Sequence, residues 1–254
     1  LNIVLMYPGC TIFRATFSLL CRKVHPADSK ALRGMRTVRI RNILLTEIKT
    51  ISMIKEEAAM GTIIPRWEWR TFGESFGEAE DRIKAHPLGN FKKSSEKYIL
   101  SRNSNENTKI RDDLMDIKSL KQVNEDKLEQ WYPVMKAEFP LAKEKVEELC
   151  RDYFKAAVPQ NLKRSYTYEE FLELCGANGD LCVVDVYKER SIFTINMAIV
   201  EIAEVKFNDK PVRTVCVEHA DPENVMKTVE ELGLKDFENI NYLRAMKESV
   251  GLKY

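Results

Sequence analysis

From Pro65 onward the chain repeatedly sets charged positions on one side of a two-residue repeat and apolar positions on the other, the period of a β-strand. In Pro65–Phe72, Arg66, Glu68 and Arg70 share one face, with Trp67 and Trp69 opposite. Lys109 and Arg111 flank Ile110, and Asp116 and Lys118 alternate with Met115 and Ile117. Lys188 and Arg190 share a face near the end of a Val-rich run from Leu181. Phe193–Phe207 reads as two strand halves, with Glu201 opposite Val200 and Ile202. Val212–His219 sets Glu218 opposite Val215 and Val217. Polar turns separate these runs at Ser101–Asn107, Asp112-Asp113 and Asn208–Pro211.

Other stretches carry helical spacing. Glu74–Ala85 brings Phe76, Ala79 and Ile83 together. Residues 124–157 read as helix, capped by Asn124, with Leu128, Trp131, Val134 and Met135 on one side and a break at Pro140. Tyr168–Cys175 is a short helix stopped by Gly176. Asp221-Pro222 opens another through Leu232. Asn239–Val250 is a last amphipathic helix carrying Tyr242, Leu243 and Met246.

The formal net charge of +1 joins two unlike parts. Residues 1–52 hold nine Lys/Arg against two Asp/Glu, whereas the remainder is mildly acidic. Residues 1–60 therefore read as an ill-defined basic extension: a targeting leader, a binding arm, or translation upstream of a start at Met53 or Met60. We take the last as the expectation and assign residues 61–254 to one folded domain. The six cysteines have no metal-ligand spacing, so a reduced cytoplasmic setting is expected, with an organellar leader in residues 1–52 as the alternative. No apolar run reaches the roughly 18 residues of a membrane-spanning helix. A GxGxxG loop, a P-loop, HExxH and a nucleophile elbow are all absent, which removes the common nucleotide-binding and hydrolase sites.

Strands of this kind could form an antiparallel sheet with one solvated face, or a sheet curled around a charged interior with helices outside. In the second arrangement seven cations (Arg66, Arg70, Lys109, Arg111, Lys118, Lys188 and Arg190) would surround Glu68, Asp116, Glu201 and Glu218. Unpartnered cations are costly to bury, so such an interior would take a polyanion or water. Guanidinium forks match phosphate oxygens, and carboxylates among them match a hard divalent cation, Mg2+ or Mn2+.

With these faces in place, residues 63–254 resemble the CYTH-like family of triphosphate tunnel metalloenzymes. The resemblance implies an α+β fold: an antiparallel eight-stranded tunnel-like barrel, polar inside, with helices packed outside. It implies a metal-dependent phosphohydrolase acting on inorganic triphosphate or a nucleoside triphosphate. The alternative is a non-catalytic polyphosphate or nucleotide-binding module of the same fold. Matched to the family pattern, Glu68, Glu201 and Glu218 would hold the metal. Arg70, Lys109, Arg111, Lys118, Lys188 and Arg190 would hold the phosphates. No catalytic base is assigned, and neither a membrane nor a nucleic acid is expected as partner. Two positions depart from the pattern: Arg66 replaces the first glutamate of the opening Glu-x-Glu-x-Lys motif, and Cys216 stands where a carboxylate would pair with Glu218.

Overall fold

The computed structural model describes residues 65–253, so the readings made for residues 1–60 lie outside the described residues. Eight strands close into an antiparallel barrel: β1 (Trp67–Gly73), β2 (Leu88–Ser101), β3 (Asn107–Arg111), β4 (Leu114–Val123), β5 (Glu129–Glu138), β8 (Leu181–Ile195), β9 (Ala198–Phe207) and β10 (Lys210–His219). Their order around the barrel is β1-β10-β9-β8-β2-β3-β4-β5, with β5 returning to β1. A two-residue ribbon, β6 (Leu141–Ala142) with β7 (Ser165–Tyr166), lies outside it. The helices are α1 (Glu78–Lys84), α2 (Lys143–Glu148, continued by a wider turn through Phe154), α3 (Tyr168–Gly176), α4 (Pro222–Glu231) and α5 (Tyr242–Val250).

Because side chains alternate along each strand, the barrel has two kinds of core. On the outside, Trp69, Val200, Ile202, Val215 and Val217 pack under α1 and α4 through Phe76, Ile83, Val225 and Val229. Ile99, Ile110, Met115 and Ile117 pack under α2 and α3 through Val146, Leu149, Phe154 and Phe171. Capping matches the sequence: Thr167 and Glu170 form a reciprocal box at α3, and the Asp221 side chain accepts from Glu223 N at α4.

The inward face is divided along its length. Toward the turns at residues 102–106 and 208–209 it is apolar: Phe72, Leu100, Val184, Val186, Val205 and Phe207 form a core with Tyr242, Leu243 and Met246 of α5. The last helix therefore closes one end of the barrel, while the other four lie against its wall. The polar lumen expected from the sequence occupies the opposite half.

One reading needs correction. Glu129–Glu138 is a strand, not part of a helix over 124–157, although the helix over 143–154 stands. Irregularities in the β4–β5 pairing between Ile117 and Lys118 and between Leu120 and Gln122 shift the phase of the alternation, which then mimics a helical repeat. Pro133 falls opposite Lys118 at the first shift, where a ladder N–H is dispensable. Asn124 closes the β4–β5 turn instead of capping a helix; its side chain accepts from Leu128 N at 2.8 Å.

The closing seam is short. β1 and β5 pair only at Trp67–Gln130 and Glu68–Glu129. Beyond them Asn239 bridges the gap: its carbonyl oxygen accepts from Arg70 N at 3.0 Å and its amide donates to Lys127 O at 2.8 Å. Ile240 N donates to Arg70 O at 2.7 Å. We expect Asn239→Ala to lower stability by about 1–3 kcal/mol, because two backbone groups lose their partners. Urea denaturation measures this, and faster hydrogen exchange at Arg70 should accompany it. A change below about 0.5 kcal/mol would show that the seam does not depend on the bridge.

Candidate active site

The mouth half of the lumen holds a cavity of about 150 Å³. Its walls are Glu68 and Arg70 from β1, Tyr98 from β2, Lys109 from β3, Lys118 from β4, Lys188 and Arg190 from β8, Glu201 from β9 and Glu218 from β10. Asn107 from β3, Trp131 from β5, the cap residue Asn241 and Tyr242 and Leu243 of the last helix complete its lining. Eight of the nine residues given a metal-binding or phosphate-binding role from the sequence therefore line one cavity. Arg111 is the exception: it is partly exposed and turns to Glu96 at 3.6 Å and to Asp112 at 3.6 Å.

The register explains the convergence. Glu68 lies opposite Glu218 and Arg70 opposite Cys216 across β1–β10. Tyr98 pairs with Lys109 across β2–β3, and Asn107 with Lys118 across β3–β4. Residues in register on adjacent strands share a face, so inward charges on one strand meet those of the next.

The lumen is more nearly charge-balanced than seven cations around four carboxylates. Arg70 is buried and donates from Nε to Glu68 Oε1 at 2.8 Å, with Nη1 3.5 Å from Glu201. Arg190 Nη1 is 3.9 Å from the other Glu201 oxygen. Lys109 pairs with Asp116 at 3.6 Å, and Arg66 reaches Glu218 at 3.6 Å from the rim. A fifth carboxylate, Glu96, is buried and meets Lys188 at 2.9 Å. One ammonium and one guanidinium N–H are left over. Lys118 has no ion pair among the described residues, and Arg190 Nε is buried without a hydrogen-bond partner.

Lys188 sits in an aromatic and acidic box. Its ammonium donates to the Tyr98 hydroxyl at 2.9 Å and lies 4.3 Å from the Tyr242 ring centre and 5.0 Å from that of Tyr98. Burial drives the Lys188 ammonium down to about 8, against the pull of Glu96. Burial alone would raise the Glu96 carboxyl, but the charge and hydrogen bond of Lys188, with Lys109 beyond, hold it at about 2. The Lys109 ammonium is lowered by burial despite Glu96 and Asp116.

A second cluster lies across β1–β10. One carboxylate oxygen each from Glu68 and Glu218 and the Cys216 sulfur lie within 4.8 Å of one another. Burial raises the Glu218 carboxyl, and the neighbouring Glu68 charge raises it further. Burial also pushes the Cys216 thiol well up, so it stays neutral. Two crowded carboxylates suit a hard divalent cation; a neutral thiol adds little to such a set. Glu201, assigned to the metal from the sequence, faces Arg70 and Arg190 instead of completing this cluster.

Strand order, closed lumen and inward charges together match the tunnel pattern. This is the closed antiparallel eight-stranded barrel that the resemblance implied. No family model matches the chain, and no curated protein matches it in sequence. Among solved structures, a Hippeastrum protein named for adenylyl cyclase and described as having a dominant triphosphatase activity is 13% identical, with a TM-score of 0.43 over 74% of this chain and 97% of that one. A conserved hypothetical protein from Pyrococcus furiosus is 14% identical, with a TM-score of 0.41 over 70% and 98%. A Bacillus halodurans protein named as an adenylate cyclase is 12% identical, with a TM-score of 0.39 over 70% and 95%. The closed eight-stranded barrel is read from the strand pairing itself and not from these distant likenesses.

Sequence reasoning missed Glu96, Tyr98, Asn107, Trp131, Asn241 and Tyr242. Glu96 and Tyr98 carry the same two-residue signal as Lys109, on a strand whose paired face was not traced. Tyr242 carries no such signal, because its place depends on the last helix entering the barrel. We expect Glu96→Gln to destabilise the protein by about 3–5 kcal/mol, since it leaves Lys188 buried without its counter-ion. The folded-state value of Glu96 lies below its unfolded one. Its contribution is therefore full above the ordinary carboxylate value and is lost as pH falls toward about 2. Acid titrations of stability should thus be shallower in the variant than in the wild type. Equal slopes would show that the pair does not set the acid limb.

Proposed function

We propose that the lumen binds the phosphate chain of inorganic triphosphate or a nucleoside triphosphate, and that the protein hydrolyses it with a divalent cation, Mg2+ or Mn2+. The observation that carries this reading is the pair of uncommitted groups, Lys118 and Arg190 Nε, facing a cavity whose other cations are already balanced. An ammonium without an ion pair and a guanidinium N–H without an acceptor suit an anion in a half-closed cavity, and a linear polyphosphate offers oxygens on several sides. Lys109, Lys118, Lys188 and Arg190 would hold its phosphates. Arg70, fixed by Glu68, Glu201 and Thr214, would present its charge from the cavity wall. Glu68 and Glu218 would hold the cation, which when bound would neutralise phosphate charge and polarise phosphorus. Arg111 would act at the rim through Glu96.

The second reading, a non-catalytic polyphosphate-binding module, is favoured by Arg66 at Glu218 and by the thiol of Cys216 between the carboxylates. Both features weaken the cation site and leave the anion site intact. Among the described residues no helix is long and apolar enough to cross a membrane. Cys150, Cys175, Cys182 and Cys216 are free thiols, in keeping with the cytoplasmic location we propose.

Phosphate release from tripolyphosphate with Mg2+ or Mn2+, absent in Glu218→Gln, is the expected result for the enzyme. Binding without release in either metal would select the second reading, and no binding at all would overturn both. Lys118→Ala should weaken tripolyphosphate binding by about tenfold, the worth of one charge-assisted contact. Affinity should also fall as pH rises past about 8, where Lys188 loses its proton. In Lys188→Gln it should be weaker at pH 7 and nearly flat from there to pH 9; an unchanged pH profile would show that Lys188 does not meet the anion.

A further inference from the structure

We propose that Arg66 is a tethered counter-ion that occupies the place of the divalent cation at Glu218, so that the lumen takes up its polyanion first and the metal second. The inference rests on the polyphosphate reading of the lumen and adds an order of binding and a residue that imposes it.

Glu68 and Glu218 are brought face to face by the β1–β10 register, with Cys216 beside them. Each of the two carboxylates has its own guanidinium: Arg70 Nε is 2.8 Å from Glu68, and Arg66 Nη1 is 3.6 Å from Glu218. The pair is therefore neutralised before any metal arrives. A neutral thiol in third place leaves two carboxylates as the strong donors, too few oxygens for a hard cation that takes about six. Phosphate oxygens would supply the rest.

The two arginines differ in freedom. Arg70 is buried, held by Glu68, Glu201 and Thr214 and stacked on Tyr242. The Arg66 side chain is 52% exposed and meets Glu218 through one contact at the rim. Arg66 can therefore leave Glu218, and Arg70 cannot leave Glu68. A polyphosphate entering the cavity offers Arg66 several charges and a bidentate fit in exchange for one carboxylate. Once Arg66 turns to phosphate, Glu218 is released from its guanidinium, and the cation site forms from the Glu68 and Glu218 oxygens with phosphate oxygens. The coupling is reciprocal in free energy, so a metal loaded first would release Arg66 and strengthen its hold on the anion.

The test titrates Mn2+ alone, and tripolyphosphate alone in EDTA, into the wild type, Arg66→Gln and Arg66→Lys by calorimetry. Removing a half-exposed counter-ion should tighten Mn2+ binding by about fivefold to tenfold. The same variant should weaken metal-free tripolyphosphate by a similar factor. Arg66→Lys, which keeps the charge, should restore both toward the wild type. Equal Mn2+ affinity in the wild type and Arg66→Gln would overturn the proposal, as would an unchanged metal-free affinity for tripolyphosphate. A wild type that binds no tripolyphosphate overturns the polyphosphate reading and the binding order with it; the Mn2+ titration still decides whether Arg66 shields Glu218.

Discussion

Arg70 joins the closure of the barrel to the chemistry of its lumen. Its backbone N–H donates to the Asn239 side chain and its carbonyl accepts from Ile240 N, at the seam where β1 and β5 part. Its guanidinium, buried in the wall, binds Glu68, approaches Glu201 and Thr214, and lies 5.0 Å from the ring centre of Tyr242. A charge so placed must be compensated, because desolvation of an unpaired ion outweighs any single contact it could make. The carboxylates around it follow from that need. So does the position of the last helix, which supplies the aromatic ring of Tyr242 while the residues just before it, Asn239 and Ile240, supply the seam bridge.

The same constraint divides the lumen. An eight-stranded barrel encloses a space that side chains must fill. Here one half is filled by apolar residues with α5, as an ordinary core. The other half is lined by ions whose pairings nearly balance, leaving Lys118 and one edge of Arg190 over. The apolar half stabilises the fold and allows the charged half to be kept for an anion. Lys188 sits at the border, between the Tyr98 and Tyr242 rings and Glu96, which is why burial depresses its ammonium more than its partner restores it.

Much of this was legible in the sequence wherever one strand face was charged and the other apolar. Arg66, Glu68, Arg70, Lys109, Lys118, Lys188, Arg190, Glu201 and Glu218 stood out for that reason, and all point into or border the same space. The pattern reverses toward the closed end of the barrel, where Asp185, Glu204 and Lys206 are the exposed, outward positions. Val184, Val186, Val205 and Phe207 are the apolar face there and point inward, which the alternation alone does not reveal, because α5 supplies the partner surface. It misled at β5, where Pro133 and the shifted pairing disguise a strand as a helix. It also overcounted at Arg111, whose face is right but whose position near the rim lets it turn to Glu96 and Asp112. Periodicity reports the face of a strand and says nothing of depth along the barrel.

The central claim is that the charged half of the lumen is an anion site. A crystal structure of the protein with tripolyphosphate tests it most directly. The account predicts phosphate density in the cavity between Lys109, Lys118 and Arg190, with Arg190 Nε and the Lys118 ammonium within hydrogen-bond distance of its oxygens. Tripolyphosphate bound only on the outer surface, with Arg70, Lys188 and Glu201 paired as before and Lys118 untouched, would contradict it.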